Sequence, residues 1–259
     1  MPFLDQRNTK IYYEYLFHET HSPVITLVNG HTRPSNDFKS LSKKLFESGI
    51  NVLLFDNRGS GQTISHSEFT FLDYVNDVID LWDELSIKTS HLLGISMGGM
   101  ISQTIANQYP SRVSRLILVS TASKAATVID ETPWENDLSK IESKLNGYFA
   151  PSFATNSKLL VKSMAKQILK RVQDGEFIED AQKQRSAMKG FNLSTGIPNF
   201  PNKTLILHGE LDGIIPIEEA KKLKDSISES ELKLFSGCGH LLLAENPKGL
   251  LEATLQFIN

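Results

Sequence analysis

Apolar and polar positions along the chain follow two alternating periods. Lys10-Ile11-Tyr12-Tyr13-Glu14-Tyr15 alternates residue by residue, which predicts an early antiparallel strand. Val24-Ile25-Thr26-Leu27-Val28 and Asn51-Val52-Leu53-Leu54-Phe55 are continuous apolar runs, the pattern of strands covered on both faces. In between, the period lengthens to that of a helix. Phe38, Leu41, Leu45 and Phe46 recur within 37–48 before Gly49 ends the run, and Leu72, Val75, Val78, Ile79, Trp82 and Leu85 recur within 71–85. Further buried strands are predicted at His91-Leu92-Leu93, at 115–119 and at 203–207. Strands that alternate with helices specify a mostly parallel sheet with helices on both faces, an α/β architecture.

This rhythm stops between Ala122 and about Pro198, where the chain turns polar and helical; 157–172 carries Leu159, Leu160, Met164, Ile168 and Leu169. Open α/β sheets bind ligands at the carboxyl ends of their strands. The expectation is therefore a core made of 1–121 and 199–259, with 122–198 inserted as a helical cap above those strand ends. Trp134, Phe149 and Phe153, with Met164, Phe177 and Met188, are candidates for the substrate pocket, more of them filling the cap's interior than lining the site.

Composition narrows the possibilities. A chain of 259 residues suits one α/β domain with an insertion. The net charge of −3 arises from interspersed acids and bases, with no basic block to suggest a nucleic-acid partner. The first residues lack a charged stretch followed by an apolar one, and no apolar run approaches the ~18 residues of a membrane span. A soluble cytoplasmic protein without a membrane partner is expected. The single cysteine, Cys238, has no internal disulfide partner, which fits a reducing compartment.

The candidate chemistry begins at Gly94-Ile95-Ser96-Met97-Gly98-Gly99, which follows a predicted strand and precedes the helical run 100–106. A serine hydroxyl is a weak nucleophile. It is activated by being held on a sharp strand-to-helix turn, where a base reaches it and backbone N–H groups meet the developing charge. Such a pattern arises by chance about 0.1 times in a chain of this length, so its context carries more weight than its letters. Among seven histidines, His240 in Ser236-Gly237-Cys238-Gly239-His240 is the candidate base, since it follows a predicted strand on a loop with two glycines. Asp212, in the loop after another buried strand, is the candidate orienting carboxylate, with Glu210 as fallback. His208 still belongs to its strand and reads as structural; His18, His21, His66 and His91 have no motif around them. The oxyanion is expected to meet the backbone N–H groups of Met97 and His31, the latter following Asn29-Gly30. The imidazole of His31 faces either the substrate or the cap. In Asp56-Asn57-Arg58-Gly59-Ser60-Gly61 no Lys-Ser/Thr pair follows as a phosphate loop requires, so it reads as a tight turn in which Asp56 pairs with Arg58.

Together these four motifs resemble the α/β-hydrolase superfamily, in particular its small esterase and enol-lactonase branch. The resemblance covers nearly the whole chain outside the cap. It implies a Ser96-His240-Asp212 triad that cleaves a small to medium carboxylic ester or lactone through an acyl-enzyme, with no metal and no organic cofactor. Asn29 stands where the family often has histidine, a departure shared with some enol-lactonases that tilts the reading towards lactones. Serine at 96 argues against the haloalkane dehalogenases, which use aspartate. Carbon–carbon bond hydrolysis and perhydrolysis use the same triad and stay open, as does a ligand receptor on this fold, since a fold does not determine a function.

Overall fold

A computed structural model describes residues 3–18, 21–65, 67–125, 133–175, 177–197 and 200–259. The chain opens with a hairpin of β1 (Phe3–Gln6) and β2 (Thr9–Leu16), and β2 also pairs antiparallel with β4 (Asn51–Phe55) and with the short β5 (Ile64–Ser65). From β4 onward the sheet is parallel. Adding β3 (Val24–Val28), β6 (Ser90–Ile95), β7 (Val113–Val119), β8 (Thr204–Gly209) and β9 (Ser230–Phe235) gives the order β1-β2-β4-β3-β6-β7-β8-β9.

Side chains of the central strands alternate between two hydrophobic layers, as the two-residue period of a strand requires. Leu53, Phe55, Leu92 and Leu116 face the layer packed by helices α2 (Phe71–Glu84) and α3 (Met97–Gln108). Val52, Leu54, Leu93 and Ile117 face the layer packed by α1 (Lys39–Glu47) and α10 (Pro247–Ile258). The continuous apolar runs are thus strands buried on both sides, as expected. Helix α1 is shorter than its apolar spacing suggests, because a 3-10 turn over Ser35–Phe38 occupies its first positions.

Between β7 and β8 lie α4 (Leu138–Tyr148), α5 (Pro151–Asn156), α6 (Lys158–Gln173) and α7 (Phe177–Met188). They have a hydrophobic interior of their own, built on Trp134, Ile141, Phe149, Val161, Ile168 and Phe177. The expected boundary of this insertion lies partly outside the described residues, at 126–132 and 198–199, as does His66. The chain closes through α8 (Ile217–Ser226), β9, α9 (Leu242–Glu245) and α10.

One topological detail positions the site. The chain leaves β3 towards β4 on one side and returns as β6 on the other, so β3 and β6 are neighbours, with Val28 beside Gly94. Loops that leave adjacent strands in opposite directions open a crevice at their carboxyl ends.

Candidate active site

At that crevice, Ser96 occupies the turn between β6 and α3 with φ +54° and ψ −117°. This positive φ is disfavoured for any residue with a Cβ. It is held by neighbours on three sides. The Ser96 N–H donates to the Val119 carbonyl at 2.9 Å, and the Ser96 carbonyl accepts from Thr121 Oγ1 at 2.7 Å and from the Gly99 N–H at 2.9 Å. Close approach also explains the flanking glycines: a Cβ on Gly94 would strike the Gly98 carbonyl and Ser102 Oγ, and one on Gly98 would strike the Val28 carbonyl. Thr32 and Ser120, likewise after β3 and β7, share the positive φ.

His240 reaches Ser96 from the loop after β9. Its Nε2 lies 3.2 Å from Ser96 Oγ, and its Nδ1 lies 2.9 Å from Asp212 Oδ2. With Asp212 ionised, the proton sits on Nδ1, and Nε2 is left to accept from the serine hydroxyl. Asp212 stands in the loop after β8, its Oδ1 accepting the N–H groups of Ile214 and Ile215 at 2.9 Å each. Burial raises its pKa, but the His240 and His208 imidazoles and the Ile215 N–H outweigh this, and the carboxyl is held below its ordinary value. Glu210, the fallback, is exposed, and the place in the relay is taken by Asp212. His208 is fully buried with Nε2 3.0 Å from the Ile215 carbonyl. Burial lowers its pKa, which keeps it neutral beside Asp212.

Facing Ser96 is the loop after β3. A Cβ on Gly30 would lie 3.3 Å from Ser96 Cβ, so this loop approaches the serine closely. His31 and Met97 line the same cavity as Ser96 and His240, and the Met97 N–H belongs to the first turn of α3, whose donors have no intrahelical acceptor. Asn29 proves to be a brace. Its Oδ1 accepts the Gly30 N–H at 2.8 Å and its Nδ2 donates to the Pro34 carbonyl at 2.8 Å, so both polar ends are occupied within the loop. The His31 ring lies 2.8 Å from the Ala181 carbonyl of α7, on the insertion.

The cavity measures about 700 Å³. Its apolar wall is supplied by Trp134, Leu145, Tyr148, Met164 and Met188 from the insertion and by Ile214 beside Asp212. Arg33, Asp37, Gln167, Arg185 and Lys189 give it a polar end.

Two expectations need correction. Phe149 and Phe153 do not line the cavity: they stack on each other at 5.1 Å between ring centroids and pack into the insertion's hydrophobic interior. The adjacent Tyr148 lines it instead, its ring edge-on to His240 at 5.6 Å. In the Asp56 turn, Arg58 does not pair with Asp56. The guanidinium is almost fully buried and makes a two-pronged pair with Asp77 on α2, at 2.7 Å for each bond. Asp56 instead accepts the Ser35 and Gln62 N–H groups at 2.6 and 2.7 Å. The tight turn directs the two side chains apart, so each finds a partner on a different segment.

Sequence reasoning passed over two braces. Gln184 of α7 is fully buried; its Oε1 accepts the Thr32 N–H at 2.7 Å, and its Nε2 donates to the Arg58 carbonyl at 2.6 Å and to Ser60 Oγ at 2.8 Å. Glu245 of α9 accepts the Gly239 and Ala150 N–H groups at 3.0 Å, tying the His240 loop to the insertion. A glutamine inside an otherwise polar helix and a glutamate after a histidine loop give no local signal of these roles.

Among the described residues no cluster of three or more His, Cys, Asp or Glu side chains is grouped to hold a metal ion, and no helix is long and apolar enough to cross a membrane.

A mostly parallel sheet flanked by helices on both faces, with a serine on the turn after a central strand, defines an α/β hydrolase. The chain belongs to the family described as serine aminopeptidase, S33, whose model matches residues 19–247. Over 222 residues it is 27% identical to 2-hydroxy-6-oxo-6-phenylhexa-2,4-dienoate hydrolase of Comamonas testosteroni, an alignment covering 80% of this chain and 76% of that one. In fold it is similar to an α/β hydrolase from a Medee basin deep-sea metagenome library, with a TM-score of 0.87 at 21% identity and coverage of 99% and 96%. It is also similar to the enol-lactonase from Burkholderia xenovorans, with a TM-score of 0.82 at 18% identity and 99% of each chain covered. The protein is accordingly a hydrolase by family.

Proposed function

We propose that this protein is a serine hydrolase that cleaves a small to medium carboxylic ester or lactone through an acyl-enzyme on Ser96. The observation that carries the reading is the continuous relay from Asp212 Oδ2 to His240 Nδ1, 2.9 Å, and from His240 Nε2 to Ser96 Oγ, 3.2 Å, opening on a cavity of about 700 Å³ with a largely apolar wall. In this reading His240 takes the hydroxyl proton as Oγ attacks the substrate carbonyl. Asp212, kept ionised, holds the tautomer and stabilises the imidazolium. The His31 and Met97 N–H groups receive the oxyanion, a contribution of ~3–4 kcal/mol per donor at the transition state. His240 then protonates the leaving alcohol and activates the water that releases the acid. Helices α4 to α7 act as a cap that sets substrate size, a role supported by the eight cavity-lining side chains they and Trp134 contribute.

The Asn29 side chain is engaged in its own loop, so the tilt towards lactones rests on the resemblance and not on a contact with substrate. A second reading, cleavage of a carbon–carbon bond next to a ketone, is favoured by the dienoate hydrolase from Comamonas testosteroni, with Lys189 at the cavity's polar end as a cation suited to a substrate carboxylate. One panel separates the two: aryl esters of increasing chain length, several lactones and a 2-hydroxy-6-oxodienoate, with a fluorophosphonate probe alongside. Labelling at Ser96 with turnover of esters or lactones supports the first reading. Turnover of the dienoate alone would replace it, and labelling at another serine would remove Ser96 from both.

A further inference from the structure

Helix α6 carries Lys158, Lys162, Lys166 and Lys170 at intervals of four residues, and all four are exposed. Steps of four advance only about 40° around a helix, so they form one row along its outer face. Between Glu142 and Asp174 the chain contains six cations and no carboxylate. Several surface lysines elsewhere do pair with nearby acids: Lys43 with Glu47, Lys183 with Glu179, Lys222 with Glu219, and Lys248 with Glu252. Among the described residues the α6 row has no ion-pair or hydrogen-bond partner.

Like charges four residues apart destabilise a helix. Three such repeats in succession on α6, with no ion pair among the described residues to offset them, break a local rule without compensation, which is the signature of a functional surface. Leu159 adds a second departure: it is 86% exposed and projects from the same side as Lys166 and Lys170. The stripe of α6 that borders the row on its Lys158 side, with Val161, Ala165, Ile168 and Val172, is buried in the insertion's interior. On the row's other side, beyond Lys170, the stripe with Leu160, Met164 and Gln167 lines the cavity.

We infer that the lysine row of α6 docks the protein on an anionic lipid bilayer, with Leu159 entering the headgroup boundary and the cavity mouth held beside the membrane surface. A bilayer satisfies both features together, since its phosphate-bearing surface complements the lysines and its acyl boundary accepts the leucine. An acidic protein would answer the charges but not the leucine. The expectation of no membrane partner rested on spanning segments, and adsorption of this kind needs none. The placement also supplies lipophilic esters to the cavity, a consequence that rests on the function proposed above; the docking itself does not.

The test uses the intact protein and vesicles of phosphatidylcholine alone or mixed with phosphatidylglycerol. Wild type sediments with the anionic vesicles at low salt and is released at high salt. Each Lys→Gln change in the row weakens partitioning about five-fold, and Leu159→Ser weakens it further at constant charge. The fourfold variant Lys158→Gln, Lys162→Gln, Lys166→Gln, Lys170→Gln keeps the wild-type melting temperature and its rate on a soluble short ester, but loses its advantage on a long-chain ester presented in anionic vesicles. Equal binding to both vesicle types, or tight binding by the fourfold variant, would overturn the inference. So would a wild type that ignores the vesicles and binds polyglutamate. A protein that sediments as described yet hydrolyses no ester would retain the docking and refute the ester reading alone.

Discussion

His91, on the central strand β6, is buried, its Nδ1 has no hydrogen-bond partner among the described residues, and the Arg115 charge acts on it. Burial first, and the Arg115 charge second, push its pKa down from 6.5 to about 4. The sign of the consequence follows from proton counting. Between pH 6.5 and 4 the unfolded chain holds a proton on this residue that the folded chain lacks, so stability is fully present above 6.5 and declines as the pH falls. Each factor of ten in proton affinity is about 1.4 kcal/mol. The whole interval is then worth about 3 kcal/mol, of which about 2 is lost by pH 5. For a domain whose total stability is of order 5–15 kcal/mol that is a large fraction. Urea unfolding of wild type and His91→Gln at pH 7, 6, 5 and 4.5 isolates the effect. His208 and Asp212 also destabilise the fold in acid, but they are present in both proteins and cancel in the difference. The variant is expected to lose stability less steeply, with the gap between the two proteins narrowing by about 2 kcal/mol from pH 7 to pH 5. Parallel pH profiles would show that His91 is protonated as easily in the folded protein as in the unfolded one, and the argument from burial would fail.

Three other outcomes are expected. Asp212→Asn leaves the fold intact but costs about 10⁴ in kcat by presenting His240 in the wrong tautomer, whereas Glu210→Gln stays near wild type; the reverse ranking in ester kinetics would reassign the acid. Trp134→Ala shifts the preferred ester length by enlarging the cavity, where each methylene is worth roughly 1–3 kcal/mol of discrimination. Phe149→Ala leaves the length profile unchanged but costs about 3–5 kcal/mol in urea unfolding, and a shifted profile would return Phe149 to the cavity wall. Gln184→Met strands the Thr32 N–H, the Arg58 carbonyl and Ser60 Oγ, so kcat falls at least about ten-fold as the loop of His31 loosens, about what a loss of 1–3 kcal/mol per stranded group implies if part of it reaches the transition state. An unchanged kcat would mean that this latch does not hold the loop.

The legibility of the sequence divides along a physical line. Features written in local pattern were readable: strands from continuous apolar runs, the Ser96 turn from its glycines, and the Asp212 and His240 loops from their position after strands. Partner choice was not readable. Arg58 and Asp56 are two residues apart, yet Arg58 reaches across to Asp77 and Asp56 folds onto backbone amides, an outcome decided by how the turn directs each side chain. Phe149 and Tyr148 are adjacent aromatics on one chain end of α4, and only the helix's orientation tells which faces the cavity and which the interior. The lysine spacing of α6 was present in the sequence from the start, but its meaning depends on which face the insertion buries.

The backbone at Ser96 has a consequence for anyone engineering this molecule. A positive φ at a residue with a side chain costs about 1–3 kcal/mol that glycine would largely avoid. Stability-guided redesign scores each position by how well its residue suits the local backbone, and by that measure Thr32, Ser96 and Ser120 are defects. All three stand at the carboxyl edge of the sheet, around the crevice. A procedure rewarded only for melting temperature would repair these positions first and return a sturdier, inert protein. Thermostabilising campaigns should therefore hold that edge constant and seek their gains in the far half of the fold.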